Sequence, residues 1–175
     1  MKKGMRYLCY PYMREAASTV DFEIRTDSLA VRIGQAASLV EVVEVKADLL
    51  ELTEMAYHLN GSVRGDLAIT EEDLKRLSWM YDRYVAETKE LIKQFVLPQG
   101  SQAASVLHVA RSEAKKSVRA LHKVSLEKEV PSLLFDYTHL LANVLFVMAV
   151  YVNKQLGVEE IVFESKSYPK KRRKS

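Results

Sequence analysis

Arg111, Lys115 and Arg119 recur every four residues, with His108 and His122 three residues to either side, so a helix would carry all five as one basic stripe. Clustered Arg and Lys can bind a polyphosphate, because charge-assisted hydrogen bonds to phosphate oxygens are short and strong. The same pattern is also what a solvated helix face shows, or one paired with an acidic row elsewhere. Glu41, Glu44, Asp48 and Glu51 supply such a row. No metal constellation stands beside the cations: His58, His108, His122 and His139 are scattered, and none has a partner at a zinc-type spacing. Cys9 is the single cysteine, so neither an intrachain disulfide nor a Cys-based zinc site is possible. His139 reads as a satisfied buried histidine or as a residue at the edge of a site.

The elements that must hold these residues follow from periodicity. Pro98 and Gly100 interrupt the chain, and Ser101 suits an N-cap because its hydroxyl can accept from an orphan backbone N–H. Beyond it Ala103, Leu107, Ala110, Ala114, Val118 and Leu121 step by three or four, predicting a helix to about Ser125 with one packed face beside the cations. Upstream, Ile33, Ala36, Val40, Val43, Ala47 and Leu50 predict a long helix over about 28–58, ended by Asn60-Gly61. Thr70, followed by Glu71, Glu72 and Asp73, opens another, since acidic groups suit the positive end of the helix dipole. Pro131 begins a last helix to about Leu156. Its segment Leu140–Val152 is apolar all round except for Asn143, too short for a bilayer, and therefore central in a bundle or also facing another subunit. Gly157 ends it, and 160–164 reads as a short strand. Residues 6–12 and 20–24 are rich in β-formers and read as a short hairpin or extended arm.

The fold class is therefore all-α, an antiparallel four- or five-helix bundle with a short extended N-terminal arm. The divisions are an arm over 1–27, a bundle over 28–164 and a basic tail over 165–175. A chain of 175 residues suits one domain. Its net charge of +3 belongs to the tail, because residues 164–175 carry six Lys/Arg and one Glu, leaving the body near neutral. Lys170–Lys174 reads as part of a solvated, disordered tail, with no aromatic platform to make nucleic acid a partner. Two N-terminal lysines without an apolar run after them give no signal peptide, and the lone cysteine fits a reducing, cytoplasmic setting with no membrane.

The stretch FVLPQGSQAASVLHVARSEAKK resembles the signature F-[IV]-L-P-G-G-[ST]-x-x-A-[SA]-x-L-H-x-A-R-[ST]-x-x-R-R of the ATP:cob(I)alamin adenosyltransferases. Phe95, Leu97, Pro98, Gly100, Ser101, Ala104, Leu107, His108, Ala110, Arg111 and Ser112 align without a gap. Gln99 replaces one Gly, and Lys115 and Lys116 replace two Arg. The resemblance covers about Asp27–Phe163. It implies a homotrimeric helical bundle with corrinoid and nucleotide bound between subunits, cobalamin as substrate, and ATP with Mg as the source of a 5′-deoxyadenosyl group. It also implies catalytic roles for Phe95, as an apolar wall below the corrin that displaces the lower axial base, and for Arg111 at the phosphates. Arg111, Lys115, Lys116, Arg119, His139 and Asn143 are the implied cofactor-binding set, with no protein-bound metal.

The departures fall where ATP should be held. The family's T-G-D-x-G-x-T loop has no counterpart in residues 1–25, where Gly4 is the lone glycine. Ser38 stands where an aspartate should pair with Arg111, and the family's Y-x-N-R-L-S-D reads Tyr137-Thr138-His139-Leu140-Leu141-Ala142-Asn143. Two readings follow. One is an active adenosyltransferase with replaced phosphate contacts. The other is a non-catalytic, trimeric corrinoid-binding or interaction module that has lost ATP, and the missing loop predicts weak or absent Mg-ATP binding.

Overall fold

The computed structural model describes residues 5–167. A 3-10 turn at Met5–Tyr7 precedes five helices, α1 (Ser18–Leu39), α2 (Val43–Gly61), α3 (Glu71–Thr88), α4 (Gln102–Val124) and α5 (Ser132–Gln155). Side chains write two of the helix starts. The Thr70 hydroxyl accepts from the Asp73 N–H while the Asp73 carboxylate takes the Thr70 N–H, and the Ser101 hydroxyl accepts from the Ala104 N–H. Gly157, at φ +67°, lets the chain turn away after α5.

Successive helices run up and down. Asn60, at the end of α2, donates to the Glu23 carbonyl near the start of α1, and Ser18 donates to Glu127 just past α4. His122 meets Phe135 at one end of the α4–α5 pair, and the Ser101 N–H reaches Asn153 at the other. Lys154 reaches Glu87, so α3 and α5 lie side by side and parallel. α4 and α5 supply much of the core, including Leu107, Leu121, Leu134, Tyr137, Leu141 and Met148. α5 is the one helix among the described residues long and apolar enough to cross a membrane, yet 61% of its apolar window is buried by the rest of the bundle. Its all-round apolarity comes from that central place.

Several expectations need correcting. The helix expected over 28–58 is two helices, broken at Val40–Val42, where Val40 and Val42 are extended. β-branched valines are stiff and favour that region, which turns the chain without glycine or proline. Residues 20–24 are not a strand: α1 begins at Ser18, so a boundary at residue 27 falls inside a helix. The α1 buried face contains Glu23 and Thr26, which hid its period. Glu23 is buried because Arg64 pairs with it at 2.7 Å, and Thr26 bonds the Phe22 carbonyl and accepts from Asn60. Residues 6–12 form turns rather than a strand, and 160–164 contributes one isolated antiparallel bridge, Val162 to Val96. The tail from residue 168, with Lys170–Lys174, lies outside the described residues.

Arg64 also bonds Glu15 at 2.9 Å and lies 3.7 Å from the Tyr12 ring centre, tying the N-terminal segment to the α1–α2 pair. Arg64→Ala would leave the Glu23 carboxylate buried and unpaired, with an expected loss of roughly 2–3 kcal/mol in urea unfolding. Adding Glu23→Gln should recover part of it. A single-variant loss below about 0.5 kcal/mol, the level of an ordinary surface change, would show that the pair is not what holds Glu23 inside.

Candidate functional site

A buried amide shapes one wall of the site. Asn153, fully buried near the end of α5, donates from Nδ2 to the Gln99 carbonyl and to Glu160 Oε1, and its Oδ1 accepts from the Ser101 N–H. Gly100 passes this amide at φ +123°, and a Cβ there would fall 2.2 Å from Oδ1, so glycine is required for both space and backbone. The turn thus held starts α4 on one side and carries Phe95 on the other. Leu97 donates to the Ile161 carbonyl and Phe163 to the Phe95 carbonyl, both at 2.8 Å. Phe95 projects from this paired segment, 65% exposed, edge-to-face with Phe163 at 5.6 Å.

Beside Phe95 opens a cavity of about 590 Å³, in the usual range for a ligand pocket. Arg111, Lys115 and Val118 of α4 and His139, Ala142, Asn143 and Phe146 of α5 line it, with Phe95 and its neighbours. Five of the seven residues singled out from the sequence therefore meet in one place: Phe95, Arg111, Lys115, His139 and Asn143. Lys116 and Arg119 are exposed outside the lining, and Lys116 is engaged with Glu113 at 2.6 Å. Sequence reasoning missed Lys93, upstream of the signature stretch, and Phe146, hidden in the apolar run of α5. The signal for Phe146 is the three-to-four-residue step from His139 through Asn143.

The acidic row does not neutralise the basic one. Glu51 and Asp48 pair with Arg76 and Arg83 of α3, and Tyr84 donates to Asp48 at 2.6 Å. Among the described residues no carboxylate lies within ion-pair distance of Arg111, Lys115 or Arg119. Arg111 lies over the Phe146 ring, 5.6 Å from its centre, and its buried Nε has no hydrogen-bond partner. Burial without a counter-charge pulls its pKa below the ordinary guanidinium value. Ser38 is exposed and bonds the Gln35 carbonyl. The cavity wall is thus an anion-seeking surface on an apolar floor.

The histidines divide. His108 is not part of an exposed stripe: it is buried beside Phe146, and neither ring nitrogen has a partner. Burial, reinforced by the Arg111 charge, pushes its pKa down to about 4, so it is neutral at pH 7. His139 is exposed at the cavity edge rather than buried. Its ring centre lies 6.3 Å from that of His122, which packs 4.8 Å from Phe135. No group of three or more His, Cys, Asp or Glu able to hold a metal occurs among the described residues.

Known proteins resemble the chain in sequence and in fold. A family model described as cobalamin adenosyltransferase matches residues 13–152. The corrinoid adenosyltransferase of Bacillus subtilis (strain 168) is 30% identical over 126 residues, 69% of this chain and 65% of that protein. The cobalamin adenosyltransferase of Cupriavidus metallidurans is 26% identical over 123 residues, 69% of this chain and 66% of that one. The matched stretch therefore spans just under two thirds of each relative. In fold, a variant of the PduO-type ATP:corrinoid adenosyltransferase from Lactobacillus reuteri, complexed with cobalamin and ATP, superposes with a TM-score of 0.73. It shares 21% identity, over 85% of this chain and 84% of that one.

The His108 environment sets a pH dependence. Its folded pKa of about 4 lies below the ordinary value of 6.5, so the unfolded chain takes up a proton first as pH falls. The stability present above about pH 6.5 should decline between there and about pH 4. His108→Leu should flatten that part of the curve of unfolding free energy against pH. An unchanged slope in the variant would assign the acid sensitivity to other groups.

Proposed function

Because the chain belongs to the cobalamin adenosyltransferase family, we propose that it is a corrinoid adenosyltransferase whose ligand cavity is the α4–α5 cleft beside Phe95. One observation carries the reading: a single cavity combines an exposed, non-coordinating aromatic ring with three cations, Lys93, Arg111 and Lys115, and no carboxylate in its lining. The proposed reaction transfers the 5′-deoxyadenosyl group of ATP, used with Mg, to a reduced corrinoid, breaking the 5′ C–O bond with triphosphate as leaving group. Val96, Val118, Ala142 and Phe146 offer the apolar floor that a corrin face needs. Phe95 adds a wall with no donor atom, which keeps water and an axial base from the cobalt. Arg111 and Lys115 meet the charge that builds on the leaving triphosphate, and Arg111 does so with a field that no neighbouring carboxylate cancels. Asn143 offers an amide on the same wall, and Lys116 and Arg119 add only distant charge.

Nucleotide should bind weakly, in the millimolar range or above. Residues 5–17 contain no glycine, so they supply no Gly-rich cradle of converging N–H groups for the phosphates. Anaerobic titration with cob(II)alamin tests the function. Addition of Mg-ATP should produce the absorption band of four-coordinate Co(II), and adenosylated product should follow on reduction. Arg111→Met, whose fold is checked by circular dichroism, should need about tenfold more ATP for the same band, the effect of losing one charge-assisted contact. Neither band nor product at saturating ATP would leave the non-catalytic, corrinoid-binding relative as the reading.

The proposed assembly is a homotrimer, and the exposed free Cys9 accords with the proposed cytoplasmic setting. What supports self-association is an apolar strip: Ile24 and Val31 on α1 and Val43, Leu50 and Tyr57 on α2 are exposed at seven-residue steps. Sedimentation at micromolar concentration should give a trimer, and Leu50→Glu should shift it toward monomer. A wild-type monomer would remove the argument that subunits share the site.

A further inference from the structure

The cavity holds a metal-ligating side chain whose chemistry the proposed reaction does not use. His139 supplies the only imidazole in its lining, and no cysteine or carboxylate accompanies it. The other polar groups there are the cations Lys93, Arg111 and Lys115 and the amides Gln94 and Asn143. Of these types, neutral imidazole is by far the best ligand for a first-row transition metal. The His139 side chain is exposed and has no hydrogen bond or ion pair within the described residues. Behind it, His122 meets the ring edge-on at 6.3 Å, and Phe135 backs His122 at 4.8 Å. This aromatic backing restricts where the imidazole can go while leaving it open to the cavity. His108 does not compete, because both of its nitrogens are sealed from solvent.

We infer that in the nucleotide-free protein His139 ligates the cobalt of the bound corrinoid, an inference that rests on reading this cavity as a corrinoid site. The step is a ligand exchange. One imidazole nitrogen forms a bond to Co(II), the axial group already there leaves, and no electron moves. Imidazole is a stronger axial donor than the water it replaces, so Co(II) becomes harder to reduce and the ligated form retains its corrinoid unreduced. Nucleotide drawn to Arg111 and Lys115 enters the cavity that His139 occupies and displaces the imidazole. His139 thereby makes reduction conditional on nucleotide, with Phe95 as the wall left once the imidazole is gone.

Cob(II)inamide is the probe, because it brings no nitrogenous base of its own. Bound anaerobically to the full chain without nucleotide, its electron paramagnetic resonance spectrum should show each resolved cobalt line split in three by one nitrogen. His139→Gln should abolish the splitting while cobinamide is still retained on ultrafiltration, with His139→Asn as a second variant should the first fold poorly. His122→Gln should keep the splitting, and Mg-ATP should remove it from the wild type. Retained cobinamide without splitting, or splitting that survives in His139→Gln, would overturn ligation by His139 and leave the corrinoid site standing. Failure of the wild type to retain cobinamide would overturn the site itself, and the inference with it.

Discussion

The side-chain amide of Asn153 is the contact on which the site depends. Its three hydrogen bonds reach two separate pieces of chain: the turn at Gln99–Ser101 that leads into α4, and Glu160 on the returning C-terminal segment. A fully buried amide left with unmet donors or acceptors costs about 1–3 kcal/mol per group, so these partners are strongly specified. Gly100 follows, since nothing larger passes so close to the amide. The register of the Val96–Val162 bridge follows as well, and with it the direction of Phe95. The aromatic ring at the cavity mouth is therefore set by an amide on another helix, while the cations opposite are set by the α4 period alone.

Charge is distributed with the same economy. Asp48 and Glu51 of α2 are taken up by α3, where Arg76 and Arg83 both stack on Trp79 at 4.6 Å while reaching Asp48 or Glu51. Among the described residues that leaves Arg111, Lys115 and Arg119 of α4 without a carboxylate partner, although the body of the chain is close to neutral. Near-neutral overall charge therefore says little about local potential. A half-buried guanidinium with no carboxylate nearby projects a positive field into a cavity floored by hydrocarbon, where screening is weaker than at an open surface.

Sequence reading located what repeats and lost what compensates. Ser101, Thr70, Gly157 and the apolar stripe of α4 announce themselves by type and spacing, because capping and helical packing are local rules. The start of α1 was illegible because its buried face includes Glu23, whose partner Arg64 lies beyond the next helix. The break after Leu39 was illegible because valine ends helices only weakly, and tertiary packing decided the matter. At the site, Arg111 and Lys115 could be chosen as cations, but their lack of carboxylate partners depends on where α3 sits. The same holds for His108, which a periodic reading puts among exposed cations and the fold buries as a neutral ring.

The unfavourable features of this fold gather on one side of it. His108 keeps two buried nitrogens without partners, Arg111 keeps a buried Nε without one, and Phe95 holds a largely exposed ring. Apart from Glu160 Oε2, beside Asn153, the buried polar groups elsewhere are matched: Glu23 to Arg64, Asp48 to Arg83 and Tyr84, and Thr26 and Thr88 to carbonyls of their own helices. Each unmatched group could be replaced by an apolar residue of similar size at little cost to folding, which sets them apart from structural polar residues. Costly groups concentrated at one cavity wall are what a functional wall shows, which supports the proposed site. The wall's chemistry is specific: a positive, donor-rich side facing a donor-free aromatic side fits a ligand that is anionic at one end and flat and apolar at the other.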